Sequence, residues 1–156
     1  MRGATGTVLG MAATGMLVLA MSNPAAAATM EYDTAVKDTT SVNDYYCVAK
    51  DDLWTTARSC FKPYGDVLFA GDEFKDGSSA VTKWQNELKD SNGNWGLYRN
   101  GECTWSGGSG TQGSCNKEMY EYSSKNAHGG VGSRVRVKAC LSNDSCSSWS
   151  RWILNA

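Results

Sequence analysis

One histidine, three acids beside turns, two glycine-rich loops and six cysteines are the groups in this 156-residue chain whose chemistry could reach beyond packing. His128 is the lone imidazole and sits in Ala127-His128-Gly129-Gly130, where glycines cannot hold a general base at a fixed distance. No Gly-x-Ser-x-Gly elbow accompanies it, so the preferred reading is loop decoration. Asp72, Glu73 and Asp76 could supply the carboxylate pair of a glycosidase, but acids beside turns are normally solvated. The loop Gly107-Gly108-Ser109-Gly110-Thr111 lacks the Lys and the following helix of a phosphate cradle. Asp90, Asn92 and Asn94 space their oxygens like a calcium loop. There Gly93 falls too early and no Glu stands at the twelfth position, which favours a turn. The expectation is a non-enzyme with no catalytic residue, no cofactor and no metal.

The cysteines point to an oxidising compartment, being even in number and all within residues 29–156. Fifteen pairings are possible in principle. The short separations predict the sequential one: Cys47 with Cys60, Cys103 with Cys115, and Cys140 with Cys146. Closing such loops stabilises by about 2 to 3 kcal/mol each, less than additively. Zinc is the weaker alternative, since no Cys-x-x-Cys pair occurs and the histidine is isolated.

Export is written at the N-terminus. Arg2, an apolar stretch from Val8 to Met21, Pro24 and a run of alanines read as a signal peptide over residues 1–28, cleaved after Ala28. An anchor helix is the rival, but Thr7 to Met21 is only 15 residues and is broken by Gly10, Thr14 and Gly15, against about 20 for a span. The secreted chain is expected to meet no membrane after cleavage. With 15 basic against 16 acidic residues, no global field draws it to nucleic acid or an anionic surface, so any partner is found by a local one.

The elements that must position these groups read as short strands. Candidates are Tyr45 to Ala49, Asp66 to Ala70 entered from Pro63-Tyr64-Gly65, and Ser79 to Leu88 after the turn at Asp76-Gly77. Asn92-Gly93 predicts a hairpin, Trp95 to Tyr98 a strand, and Asn100-Gly101 a second tight turn. Trp105 to Gly113 reads as a mobile loop pinned at its base, and Lys117 to Tyr122 as a strand. In Arg134 to Leu141 the apolar Val135, Val137, Ala139 and Leu141 alternate with Arg134, Arg136, Lys138 and Cys140, as in a strand with one wet face. Ser148 to Leu154 makes a final strand. The fold class expected is all-β: an antiparallel sandwich of about seven strands over residues 45–156, with three local disulfides. Trp54, Trp84, Trp149 and Trp152 are read as core.

Residues 29–44 differ from the body, with no Cys, Gly or Trp and with Glu31, Asp33, Asp38 and Asp44 against Lys37. They read as an extended arm. At strand period Tyr32, Thr34 and Val36 share one face, with Val42 later on it, while Glu31, Asp33 and Lys37 take the other. Such an arm can complete another protein's sheet through main-chain hydrogen bonds worth about 1 kcal/mol each. Sixteen residues reach up to about 50 Å. A disordered tail is the alternative. On the body, Arg134, Arg136 and Lys138 line one strand face, with Trp95, Tyr98 and Trp105 near in sequence. Basic plus aromatic side chains could bind single strands or sugars, although an outward basic face is more often merely solvated.

Several segments carry a resemblance: Tyr64-Gly65-Asp66-Val67-Leu68-Phe69, Lys75 to Val81, Leu97 to Cys103, and Arg136 to Cys140 with Cys146-Ser147-Ser148-Trp149. Over about Tyr45 to Ala156 the chain resembles a family of small secreted actinobacterial proteins. The resemblance implies compact disulfide-braced β-sandwiches and carries over no catalytic residue. One group with this layout is the adaptor subunits of Streptomyces umbrella toxin particles, in which an N-terminal segment enters a lectin-like subunit as a donated strand and the β-domain meets a large toxin subunit. It implies a secreted, non-enzymatic adaptor in an antibacterial assembly. The partner-binding residues would be Tyr32, Thr34, Val36 and Val42 on the arm and Trp105, Arg134, Arg136 and Lys138 on the body. The rival readings are a hydrolase inhibitor baited by the loop between Cys103 and Cys115, and a carbohydrate-binding module using Trp95 and Trp105.

Overall fold

The computed structural model describes residues 28–51 and 54–156. The expected export segment lies outside them except for Ala28. Ten strands are formed among the described residues: β1 (Met30–Thr34), β2 (Val36–Lys37), β3 (Tyr46–Asp51), β4 (Thr55–Lys62), β5 (Val67–Asp72), β6 (Ala80–Asp90), β7 (Trp95–Trp105), β8 (Thr111–Asn116), β9 (Gly129–Leu141) and β10 (Ile153–Leu154). They make two five-stranded sheets, ordered β1-β7-β6-β9-β10 and β2-β8-β5-β4-β3. The fold is the all-β sandwich expected from the sequence.

Alternation decides which residues enter the core. Val135, Val137, Ala139 and Leu141 of β9 face inward beside Trp84 of β6, against Phe61 of β4 and Leu68 of β5. The three disulfides join the expected pairs. Cys47–Cys60 lies across the β3–β4 register, whereas Cys103–Cys115 links β7 of one sheet to β8 of the other. A buried hydroxyl adds direction to the packing: Thr82 donates to the Phe69 carbonyl at 2.6 Å and accepts from the Ser59 hydroxyl at 2.7 Å.

Several local expectations are corrected. Asn92-Gly93 does turn the chain between β6 and β7, with Gly93 at φ 89°, but Asn100-Gly101 lies within β7 and makes no turn. The glycine there serves close approach, because a Cβ on Gly101 would collide with the main-chain oxygen of Glu31 on β1. Of the loop expected over residues 105–113, residues 106–110 are a loop, whereas 111–113 open β8, which pairs with β5; the strand expected over 117–122 is irregular. Thr55–Lys62, where no strand was expected, is β4.

The largest correction concerns the N-terminal segment. Residues 29–44 are no separate arm: β1 pairs in parallel with β7 at the edge of one sheet, and β2 pairs with β8 at the edge of the other. Between them Ala35 is buried, its N–H donating to the Thr104 carbonyl at 2.8 Å. The segment therefore straps one side of the sandwich, from sheet to sheet.

Candidate functional site

The strap and its seat are built from three features of the sequence. Glu31 and Asp33 alternate with Tyr32 and Thr34, so one face of β1 is acidic. Arg99 of β7 and Lys117, just after β8, point at that face. Arg99 Nε and Nη2 meet the two Glu31 oxygens at 2.7 and 2.9 Å, a bidentate pair, while Lys117 Nζ reaches Glu31 at 2.9 Å and also binds Asp33. Glycine at position 101 lets the two backbones close together. Both cations also lie over the Trp84 ring, Lys117 at 5.1 Å and Arg99 at 5.7 Å from its centroid.

Burial gives this cluster its weight. The Lys117 side chain is 7% exposed and its carboxylate partners come from β1, so removing the strand would strand a cation above the core. The Arg99 guanidinium draws the Glu31 carboxyl below its ordinary range against the opposing effect of burial, with Lys117 adding to the pull. Glu31 in turn raises the Arg99 value.

With the acids turned inward, the other face looks out. Tyr32 is 74% and Val36 73% exposed, and Thr34 is exposed beside them. Because the main-chain groups of Ala35 face β7, alternation turns those of Tyr32 and Thr34 toward the open edge of the sheet. The edge thus combines free main-chain groups with exposed apolar side chains. Val42, expected on the same face, is instead buried with Cys60 and Phe69.

No protein-family model, curated protein or solved structure matches the chain. What the site can do is therefore read from its geometry.

The basic strand face has a different character from the one expected. Arg134 lies 4.4 Å from the Trp95 ring centroid and 4.5 Å from that of Trp152. Arg136 stands 4.5 Å from Trp152 and 4.8 Å from Trp149, and Lys138 closes the stack 4.9 Å from Trp149. Rings and cations alternate in a ladder on the outer face of β9. Trp149 and Trp152 are therefore half-buried in this ladder and not core, and Trp54 is 67% exposed. Trp84 alone of the four fills the interior.

The segment carrying Trp149 and Trp152 is held by its serines. Main-chain N–H groups of Ser147 and Ser150 donate to the Ala139 and Val137 carbonyls at 2.7 and 2.8 Å. Their hydroxyls accept the N–H groups of Ala139 and Val137, each at 3.0 Å. The final strand expected over 148–154 is reduced to β10 by this arrangement, in which hydroxyls take over part of the ladder of main-chain bonds.

Other candidates are occupied. Trp105 is 8% exposed and its Nε1 donates to Thr111 Oγ1 at 2.9 Å, so it is no surface contact. Trp95 carries Lys89 and Arg134 on its ring, which leaves it poorly placed to stack on a sugar. Burial raises the Asp72 carboxyl, but Glu73 is paired with Arg58 at 2.8 Å and Asp76 accepts the Ser78 N–H at 2.8 Å. Asp90 accepts the N–H groups of Asn92 and Asn94, both at 2.8 Å, as a turn residue does. The His128 ring packs edge-on against Tyr98 at 5.6 Å.

Arg99 and Lys117 were not singled out by the sequence reading. The signal that points to them is Gly101 in the middle of a strand: such a glycine marks close approach of another backbone, and a cation beside it suits an acidic strand.

Proposed function

We propose that the chain works after export as a non-catalytic adaptor joining two secreted proteins, one of which adds a strand to the open edge of β1. The observation that carries this reading is the inverted strap: its acidic side chains hold it to its own body, Tyr32 and Thr34 face outward on β1 with main-chain groups unpaired among the described residues, and Val36, on β2, is exposed beside them. Strand addition to such an edge supplies main-chain hydrogen bonds for affinity and side-chain fit for specificity. Three disulfides and the N-terminal export signal support a secreted protein. The resemblance to umbrella-particle adaptors supports a lectin-like subunit at this edge and a large toxin subunit on the rest of the sandwich. The strap stays seated and receives the partner's strand, since its departure would leave Lys117 buried without a carboxylate.

Affinity purification of the tagged protein from its native culture medium tests the reading. The wild-type protein should bring down two proteins. Tyr32→Asp with Val36→Asp should lose one and keep the other, with the melting temperature unchanged within about 2 °C, as for exposed positions. Recovery of a solitary protein, or retention of both partners by the double variant, sinks it.

A further inference from the structure

The ladder on β9 goes beyond this reading, because it presents a second surface with its own chemistry. We infer that it is a binding strip for a linear anionic polysaccharide, one bearing sulfate, phosphate or carboxylate groups at regular intervals.

Charge balance is the first ground. The outer face of the sheet gathers Lys83, Lys89, Arg134, Arg136 and Lys138 against Glu87, Glu102 and Asp144, five cations to three anions, a net of +2. Residues 29–156 as a whole hold 14 basic and 16 acidic side chains, a net of -2. Positive charge is thus segregated onto one face of an acidic chain. The acids present are already committed: Glu87 to Arg134, and Glu102 and Asp144 to Lys83. Arg136 is held by a neutral partner, Gln85, through Nε and Nη2 at 2.9 and 2.6 Å, and its Nη1 makes no hydrogen bond among the described residues. Lys138 packs on the Trp149 ring and stands directly across from Lys83 on β6. Like charges in that position repel, and Asp144, which pairs with Lys83 and also acts on Lys138, offsets part of that repulsion.

Pre-organisation is the second ground. Free arginine and lysine side chains lose rotamer entropy when they grip an anion. Here Arg136 is clamped between Trp152 and Trp149, and Lys138 is seated against Trp149, so that loss is already met in the fold. Alternate residues of a strand repeat every ~6.8 Å, so the cations form a straight, evenly spaced row, suited to a linear polymer.

The occupancy of the rings selects among polyanions. A single-stranded nucleic acid needs free aromatic faces on which its bases stack. Trp95, Trp149 and Trp152 spend their faces on cations. A protein partner would need a central apolar anchor or pocket. The row presents edges of guanidinium and ammonium groups, which read charge and not base or side-chain shape.

Titration of the secreted protein with dextran sulfate, against uncharged dextran as reference, is the test. The sulfated polymer should bind and the neutral one should not, with affinity falling steeply as salt rises. Arg136→Gln with Lys138→Gln should weaken binding about tenfold at about 50 mM salt, while the charge-matched Lys62→Gln with Lys125→Gln changes it less than about twofold. Trp149→Leu, which keeps every charge but frees Arg136 and Lys138, should weaken it about threefold. If the ladder variants unfold, Lys138→Gln alone decides, since its side chain makes no hydrogen bond among the described residues. Equal binding of charged and neutral dextran, equal losses in ladder and control pairs, or tighter binding of a single-stranded oligonucleotide would overturn the inference.

Discussion

At one edge of the first sheet β1 lies on β7 through carboxylates; at the other, residues 147–154 lie on β9 through hydroxyls and indole rings. One edge is made by the first of the described strands and the other by the last, yet they spend their side chains in opposite ways. The C-terminal segment consumes its large aromatics in the ladder. The N-terminal strap consumes its acids and leaves Tyr32 and Val36 unused. An edge fastened by charge can keep its apolar face for a partner, whereas an edge fastened by rings cannot.

Removing the charges should separate the two edges most strongly. Glu31→Gln with Asp33→Asn leaves Lys117 buried without its carboxylates and should cost about 2 to 3 kcal/mol, below the about 3 to 5 of fully buried pairs because the acids are about a third exposed. Chemical denaturation measures the loss, and proteolysis should cut residues 29–44 first. Gly101→Val should cost about 2 kcal/mol by forcing β1 away from β7, again with residues 147–154 still in place. Trp149→Ala should cost about 1 to 2 kcal/mol through two lost cation–ring contacts, and should loosen the C-terminal segment while the strap stays seated. If either edge variant loosens both edges together, the two are one cooperative unit and the contrast fails.

Acid gives a smaller and reversible version of the same contrast. The Glu31 carboxyl is held below its ordinary value of 4.5, so its stabilisation is present above that value and is lost as pH falls through the lower folded one. Amide exchange in β1 should therefore accelerate below pH 4.5, before exchange at Val137 and Ala139, whose N–H groups are held by serine hydroxyls. Simultaneous acceleration would mean that Glu31 does not govern the strap.

The sequence made the scaffold legible where one local signal had one meaning. Apolar and basic residues alternate cleanly in β9, Asn92-Gly93 turns the β6–β7 hairpin, and each cysteine finds the partner nearest in sequence. It misled where a residue type serves two physical purposes. Asn100-Gly101 spells a turn, but Gly101 makes room for a neighbouring strand. Trp149 and Trp152 suit a core as well as a cation stack, and only the position of Arg134 and Arg136 on the facing strand distinguishes them. The alternation of the N-terminal segment was readable, but its orientation was not: apolar faces usually turn inward, and here Arg99 and Lys117, 68 and 84 to 86 residues away, turn the acidic face in instead. β8 stayed hidden because glycine and serine carry little strand signal, although Gly113 is needed where Ala35 and Trp105 crowd it.

Amide hydrogen exchange of the protein, alone and bound to the proposed strand-adding partner, reaches the central claim most directly. Alone, the N–H groups of Asp33 and Ala35 should be protected by β7 while those of Tyr32 and Thr34 exchange freely; in the complex, Tyr32 and Thr34 should become protected as a partner strand joins the edge. Free exchange throughout residues 30–35 in the isolated protein, or no new protection at Tyr32 and Thr34 in the complex, would contradict it.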